Sequence, residues 1–460
     1  MLSSDNQRAI GDDMEKQKVS ANPTKAFFVH TITRDIRLED CILDLVDNSL
    51  DGARNLLHFP VPSLSDKSDF SQFRVKIAFD EDSFSVTDNC GGISLSDAVN
   101  YAFTFGRMDA DTSEDYSIGV YGIGMKRAVF KMGDNVKIRS TFGGVDREAE
   151  EPFVVEIDVP AWLKAKDWDF DLSPDEPLDA AGVQIQVEGL REVISNEFSN
   201  PVFSTSLRKI LARDYARFID RGLVVEVNGK KVRPFDFSLL TSDKIVPLRA
   251  EFSLKAVKVE IIAGMAARPT DDADPDHEGE KEDRSGWYVL CNDRMVVAAD
   301  KSELTGWGYG GKNRWHPQYR GFLGIILFSA KEADALPLTT TKRSIDRDSE
   351  LYRLALARMI ELTREWIEYT NRRKAALDEA RKFEAEAVAV KAFSTSISKA
   401  LKFPSFISTR IRSSDVTIQY SKPTLMVRDV AQKFGNPGMS AREVGMRTFE
   451  YTYRELIGGQ

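Results

Sequence analysis

Apolar positions recur at helical spacing from Phe27 through the run LEDCILDLVDNSLDGARNLL, and the period then changes. FRVKIAF and SFSVTD alternate apolar with polar residues and predict two strands ending in a glycine turn. A mixed stretch from Leu95 to Tyr116 leads into a glycine-rich segment and the helix MKRAVFKM; PFVVEIDVP and GVQIQVEGL predict further strands. STSLRKILARDYARFI reads as a helix opening a second unit, followed by the hairpin VVEVNGKKVRP with Asn228-Gly229 as its turn. GWYVLCNDRMVV and YRGFLGIILFSA add strands, and a long helix runs from about Arg347 into RRKAALDEARKFEAEA. The pattern predicts an α+β chain. A polar tail (1–25) precedes two α/β units (26–195 and 196–372), and a helical linker with a C-terminal region (373–460) follows.

Composition sharpens this in a few places. With 42% hydrophobic and 29% charged residues the 460-residue chain has ordinary globular content, and its net charge of −9 argues against a surface that coats nucleic acid throughout. The stretch Lys391–Gln460 differs: eleven Lys/Arg stand against five Asp/Glu, interleaved with Phe403, Phe406, Tyr420, Phe434, Phe449 and Tyr451. Such a region suits phosphate contact and base stacking, or equally a partner-docking domain with a positive face. The acidic run between Arg268 and Ser285 has no apolar period and reads as a solvated loop. Three scattered cysteines and four histidines, without Cys-x-x-Cys or His-Glu-x-x-His, exclude a disulfide framework and a zinc motif. The polar start and the lack of a long apolar run predict a cytoplasmic chain without a membrane span.

Three motifs carry candidate chemistry. Asp44, Asn48 and Asp51 stand at i, i+4 and i+7, which places them within roughly 60° on one face of an otherwise apolar helix. That polar stripe needs a polar partner if it is buried. Next, VTDNCGGI ends a strand in Asp88 followed by Gly91 and Gly92: a carboxylate fixed at a tight turn accepts a hydrogen bond from an exocyclic amino group such as adenine's. Third, Gly119, Gly122 and Gly124 lead into a helix beginning Met125-Lys126, an arrangement of backbone N–H groups that cradles anions. It matches neither the P-loop nor the dinucleotide fingerprint.

In order and spacing the three motifs resemble the gyrase, heat-shock chaperone, histidine kinase and MutL (GHKL) ATPases over about residues 26–195. The resemblance implies a Bergerat-type α/β sandwich binding ATP with magnesium. It assigns Asn48 to magnesium, Asp88 to adenine, and Gly92, Gly119, Gly122, Gly124 and Lys126 to the phosphate site. Asp44 takes the general-base position and Asp51 supports the base-side pocket. Three residues depart from the family pattern: Asp44 replaces the usual Glu, Cys90 replaces the first glycine of the adenine motif, and Gly182-Val183 lacks the hydroxyl of the usual Gly-Thr pair.

The second unit narrows the resemblance. LPLTTTKRSID, with Lys342, is similar to the lysine loop of the transducer domains in MutL, type II topoisomerases and MORC ATPases, and YVLCNDRMV to their hairpin. The resemblance assigns Lys342 to the γ-phosphate, in the manner of an in-cis arginine finger. It disfavours a sensor kinase, a nuclease-bearing MutL and a heat-shock chaperone. The resulting expectation is a slow, MORC- or MutL-like ATPase closing as an ATP-dependent homodimer, on DNA in a prokaryotic repair or antiviral defence system. The alternative is a chaperone-like or regulatory ATP switch holding a protein client.

Overall fold

The computed structural model describes residues 23–105, 123–144, 147–269, 284–311, 313–339, 344–398, 400–406 and 418–458. The glycines Gly119 and Gly122, Lys342, most of the N-terminal tail and most of the acidic run lie outside them. Two compact units divide the chain, 1–406 and 407–460.

The first unit opens with α1 (Lys25–Arg34) and α2 (Leu38–Leu56). Strands β1 (Arg74–Phe79) and β2 (Ser83–Asp88) pair antiparallel. A helical turn α3 (Leu95–Asp97) continues into a π-helical turn at Ala98–Ala102. Helix α4 (Gly124–Met132) and strands β3 (Gly133–Thr141) and β4 (Phe153–Asp158) follow, then α5 (Val159–Lys164), β5 (Leu172–Pro174) and β6 (Gly182–Leu190). Helices α6 (Glu192–Phe198), α7 (Pro201–Asp214) and α8 (Ala216–Asp220) lead to β7 (Val224–Val227) and β8 (Lys230–Lys231).

These eight strands form one sheet in the order β5-β4-β3-β6-β2-β1-β7-β8, antiparallel except where β7 runs parallel to β1. Alternation decides its faces. Val75, Ile77 and Phe79 are buried under the helices while Arg74, Lys76 and Ala78 face outward, which makes a two-layer sandwich. The expected boundary at 195/196 does not hold for the sheet. Phe198 and Phe203 pack on Phe79, and the Asn228-Gly229 hairpin completes the first sheet rather than opening a second one.

A second sheet has five strands in the order β10-β11-β14-β12-β13; a ribbon strand β9 (Ser238–Thr241) precedes them. They are β10 (Leu248–Leu254), β11 (Val257–Met265), β12 (Gly286–Cys291), β13 (Arg294–Asp300) and β14 (Phe322–Ala330). Every residue of β12 and β14 is buried, because both faces are covered. Trp287, Phe322 and Phe328 meet Met359, Leu362 and Trp366 of α9 (Glu350–Ala375) on one face. On the other, Tyr288, Ile325 and Leu327 cluster with Leu64, Ala216 and Leu239. The long helix breaks at Ala376 and returns as α10 (Leu377–Glu386), held by the buried pair Arg373–Glu384 at 2.6 Å. Strand β15 (Val388–Lys391) pairs with β9, and Phe403 stacks on Tyr369, so this region belongs with the first unit rather than with a linker starting at 373. The second unit contains α11 (Thr424–Lys433) and α12 (Ala441–Ile457). Among the described residues no helix is long and apolar enough to cross a membrane.

Candidate functional site

Helix α2 is buried along most of its length, and its polar residues are placed individually. Asp44 and Asp51 are buried, whereas Asn48 between them is exposed. An exposed amide flanked by buried carboxylates on one face opens that face toward a ligand. The helix is pressed onto the turn after β2: a Cβ at Gly52 would stand 2.6 Å from the carbonyl oxygen of Cys90, so only glycine permits the approach.

That turn holds Asp88 from three sides. Ser49 Oγ donates to Asp88 Oδ2 at 2.6 Å, and the backbone N–H groups of Cys90 and Val183 donate to Oδ1 at 2.9 and 3.2 Å. Burial pushes this carboxyl up from its ordinary range, and the three donors oppose that shift. Val183 thus holds Asp88 through its backbone, a contact that needs no hydroxyl. Gly92 has φ +74, and a Cβ on it would meet the Thr141 carbonyl at 2.2 Å; at Gly182 a Cβ would meet the Asp88 carbonyl at 2.0 Å. Cys90 takes the glycine position with its side chain buried in the core.

Helix α4 brings Gly124, Lys126 and Arg127 toward α2. Gly124 abuts Asp44, its Cβ position lying 3.3 Å from Asp44 Cβ. The neighbouring Arg127 grips the same carboxylate: Nε donates to Oδ2 at 2.7 Å and Nη2 lies 2.5 Å from it. Lys126 is buried, and its Nζ donates to the Ala102 carbonyl in the π-helical turn at 2.7 Å. Burial lowers the Lys126 ammonium to about 8.

The flank of α2 beside this face is fastened to the second sheet. The β12–β13 hairpin turns through Asn292 (φ 46) and Asp293 (φ 71), a primed turn without glycine, and its tip reaches α2. Arg294 Nε donates to Asp47 Oδ2 at 2.6 Å, and Tyr215 Oη donates to Asp47 Oδ1 at 2.7 Å. Arg54 Nη1 donates to the Asn292 carbonyl at 3.0 Å. Arg217 and Arg221 contact Asp293 at 2.9 and 3.2 Å. Burial works against charge on Asp293, yet Arg217, Arg221 and Arg54 hold its carboxyl below the usual range.

Asp44, Asn48 and Asp51 share one face of α2, Gly124 meets the helix at Asp44 and Asp88 meets it at Ser49, while Gly92 lies in the turn after Asp88 and Lys126 on α4. Gly119, Gly122 and Lys342 fall outside the described residues. Sequence reasoning missed Ser49, Arg127, Asp47 and Arg294. Ser49 and Arg127 adjoin predicted site residues, but Asp47 and Arg294 are separated by most of the chain, and only the fold pairs them. A cleft of about 530 Å³ on the outer sheet face, between Arg74, Lys76 and Arg139, touches this site only at Asp88.

A helix presenting acid, amide and acid beside an Asp–Gly-Gly turn, within a two-layer sandwich, defines a nucleotide-binding domain of the Bergerat type. Residues 36–178 match the family described as "Histidine kinase-, DNA gyrase B-, and HSP90-like ATPase". The chain carries a GHKL-type ATPase domain, and that domain supports ATP binding. No curated protein matches the sequence.

Proposed function

We propose that the protein is a magnesium-dependent ATPase that works as an ATP-gated dimeric clamp. The observation that carries this reading is the double attachment of α2, with nucleotide-site side chains on one face and the Asp47–Arg294 pair on the flank beside it. A rotation of this helix is felt in both sheets. The residues fit the nucleotide: Asn48 is exposed where a cation would need an oxygen ligand, Asp88 is held rigid at the adenine position, and the close approaches at Gly92 and Gly182 leave room for backbone alone. Bound ATP and magnesium supply the scissile phosphoanhydride and the charge that polarises it. Asp44 orients and deprotonates water once Arg127 releases its Oδ2. Lys126 contacts phosphate, Asp51 supports the base side, and Gly119, Gly122 and Lys342 keep the lid and γ-phosphate roles of the resemblance.

Asn48→Ala weakens magnesium-dependent ATP binding at least about 10-fold. Because the side chain is exposed, the melting temperature stays close to that of the wild type. Titration calorimetry with and without magnesium checks this, and unchanged affinity would remove Asn48 from the site.

The Lys126 ammonium gives a second expectation. Its folded pKa, about 8, lies below its ordinary 10.5. The buried charge therefore costs stability below about pH 8, and the cost disappears as pH rises from there toward 10.5. Phosphate favours the charged form, so ATP binding above pH 8 takes up a proton, and affinity falls up to about tenfold per pH unit. Lys126→Met lowers affinity at pH 7 and flattens the profile; a wild-type slope in this variant would exclude the contact.

The clamp closes on DNA or on a protein client, and the net positive stretch 391–460 favours DNA. ATP-enhanced, salt-sensitive DNA retention by the purified chain is the expected result. Retention independent of ATP would count against a gated clamp.

A further inference from the structure

The outer face of the first sheet carries a polar row that crosses four strands. Lys76 on β1 pairs with Thr87 on β2, Thr87 with Gln184 on β6, and Gln184 with Arg139 on β3. All four alternate with buried neighbours and so point away from the core. Two segments rise beside this row. Residues 175–180 are pinned over one side: Arg139 pairs with the Asp175 carboxylate and donates through Nη2 to the Glu176 carbonyl at 3.0 Å, and the Leu178 N–H donates to Thr141 Oγ1 at 2.8 Å. Residues 71–74 form the other side. Asn89 ties them to the end of β2, accepting from the Arg74 N–H at 2.6 Å and donating to the Gln72 carbonyl at 2.7 Å. Between these fastened walls lies the cleft of about 530 Å³, a size ordinary for a small-molecule site.

Its polar groups are divided by charge. Arg74 and Lys76 stand two residues apart on one strand face, and neither side chain has a hydrogen bond or ion pair among the described residues. Arg139, by contrast, is already engaged by Asp175. Across the cleft Asp179 is exposed, with no donor to its carboxylate among the described residues. β1 and β6 flank β2, so the two ends are separated by two strand spacings, about 10 Å. Thr87 and Gln184 lie between them and offer a hydroxyl and an amide. Two cations at one end suit a single anionic group. A carboxylate at the other end repels a second anion and accepts from hydroxyl groups.

We propose that this cleft binds a small hydroxylated acid, a sugar phosphate or sugar carboxylate, and that its occupancy tightens ATP binding. The coupling follows from what the walls carry. The Ala181 carbonyl accepts from the Gly91 N–H at 3.1 Å, and the Val183 N–H donates to Asp88 Oδ1 at 3.2 Å. A ligand bridging Lys76 to Asp179 draws the loop before β6 onto the end of β2, and so favours the arrangement that holds Asp88. Occupancy of the cleft stands apart from the nucleotide reading; the coupling alone rests on it.

Titration calorimetry of the full chain without nucleotide tests the site. The probes are glucose 6-phosphate and glucuronate, which share a sugar ring and differ in the anionic group. At least one binds with a dissociation constant below about 1 mM, and the tighter of the two identifies the anion as phosphate or carboxylate. Arg74→Gln/Lys76→Gln, two changes at exposed positions, weakens that probe at least about 10-fold. Asp179→Ala weakens it at least about threefold, whereas a surface that merely gathers anions would hold it more tightly once this carboxylate is gone. With the probe saturating, ATP affinity rises about fivefold or more, and the rise is absent in Arg74→Gln/Lys76→Gln. A probe lodged in the nucleotide site would instead lower ATP affinity, equally in both chains. Failure of both probes to bind, tighter binding in Asp179→Ala, or an unchanged or lowered ATP affinity overturns the proposal. If the chain binds no ATP at all, the nucleotide reading fails on its own, and the probe isotherms still decide the cleft.

Discussion

Asp44→Asn lowers ATP turnover by about 10²–10⁴-fold, the usual worth of a positioned general base, while ATP affinity stays within a few-fold. The reasoning starts from shape. Asn has the size of Asp, so the approach of Gly124 to this side chain is kept, and an amide oxygen still accepts from Arg127. What disappears is the capacity to take a proton from water. Asp44→Glu separates length from charge: it restores the carboxylate, moves it by one methylene and disrupts the two-point grip of Arg127. Turnover in Asp44→Glu should therefore exceed that of Asp44→Asn. Phosphate release and ATP calorimetry on the two variants decide the matter. Wild-type turnover in Asp44→Asn would mean that water is activated elsewhere.

Breaking the buried pair between α2 and the hairpin has the second large effect. Asp47 and Arg294 are 3 and 5% exposed in their side chains, so removing one partner strands the other charge. Arg294→Met costs about 3–5 kcal/mol of stability. Adding Asp47→Asn removes the stranded charge, keeps an acceptor for Tyr215 and recovers most of that loss. The double variant is the informative one. If the pair transmits motion, the folded double variant binds ATP normally but loses ATP-induced protection from hydrogen exchange in residues 286–300. Melting curves and exchange mass spectrometry measure both. Equal protection in wild type and double variant would reduce the pair to a structural rivet.

Much of this was legible in the chain because it is local. Acid, amide and acid at i, i+4 and i+7 need only helix geometry to share a face, and Asp88-Asn-Cys-Gly-Gly needs only a turn. The Asn228-Gly229 hairpin was equally readable, but its destination was not. Whether a hairpin extends one sheet or starts another depends on which edge strand is open, and here that edge was β1. The same limit hid Arg127. Adjacent to Lys126, it reads as one more cation, until the packing of α4 on α2 puts its guanidinium on Asp44. The Asp47–Arg294 pair lies at the extreme, since neither residue has a local reason to be buried.

The aromatic packing beside α1 has a spectroscopic consequence. Trp162 stacks on Phe130 with ring centres 5.3 Å apart, and Trp168 meets Phe105 edge-on at 5.6 Å. Phe105 immediately precedes the stretch of chain that bears Gly119 and Gly122. The other four tryptophans, Trp287, Trp307, Trp315 and Trp366, all belong to the region around the second sheet. Intrinsic emission is thus divided by position along the chain: one pair of indoles sits at the root of the glycine-rich segment and a quartet sits far from it in sequence. Replacing the quartet with phenylalanine would leave a label-free optical gauge of the ring packing around Phe105.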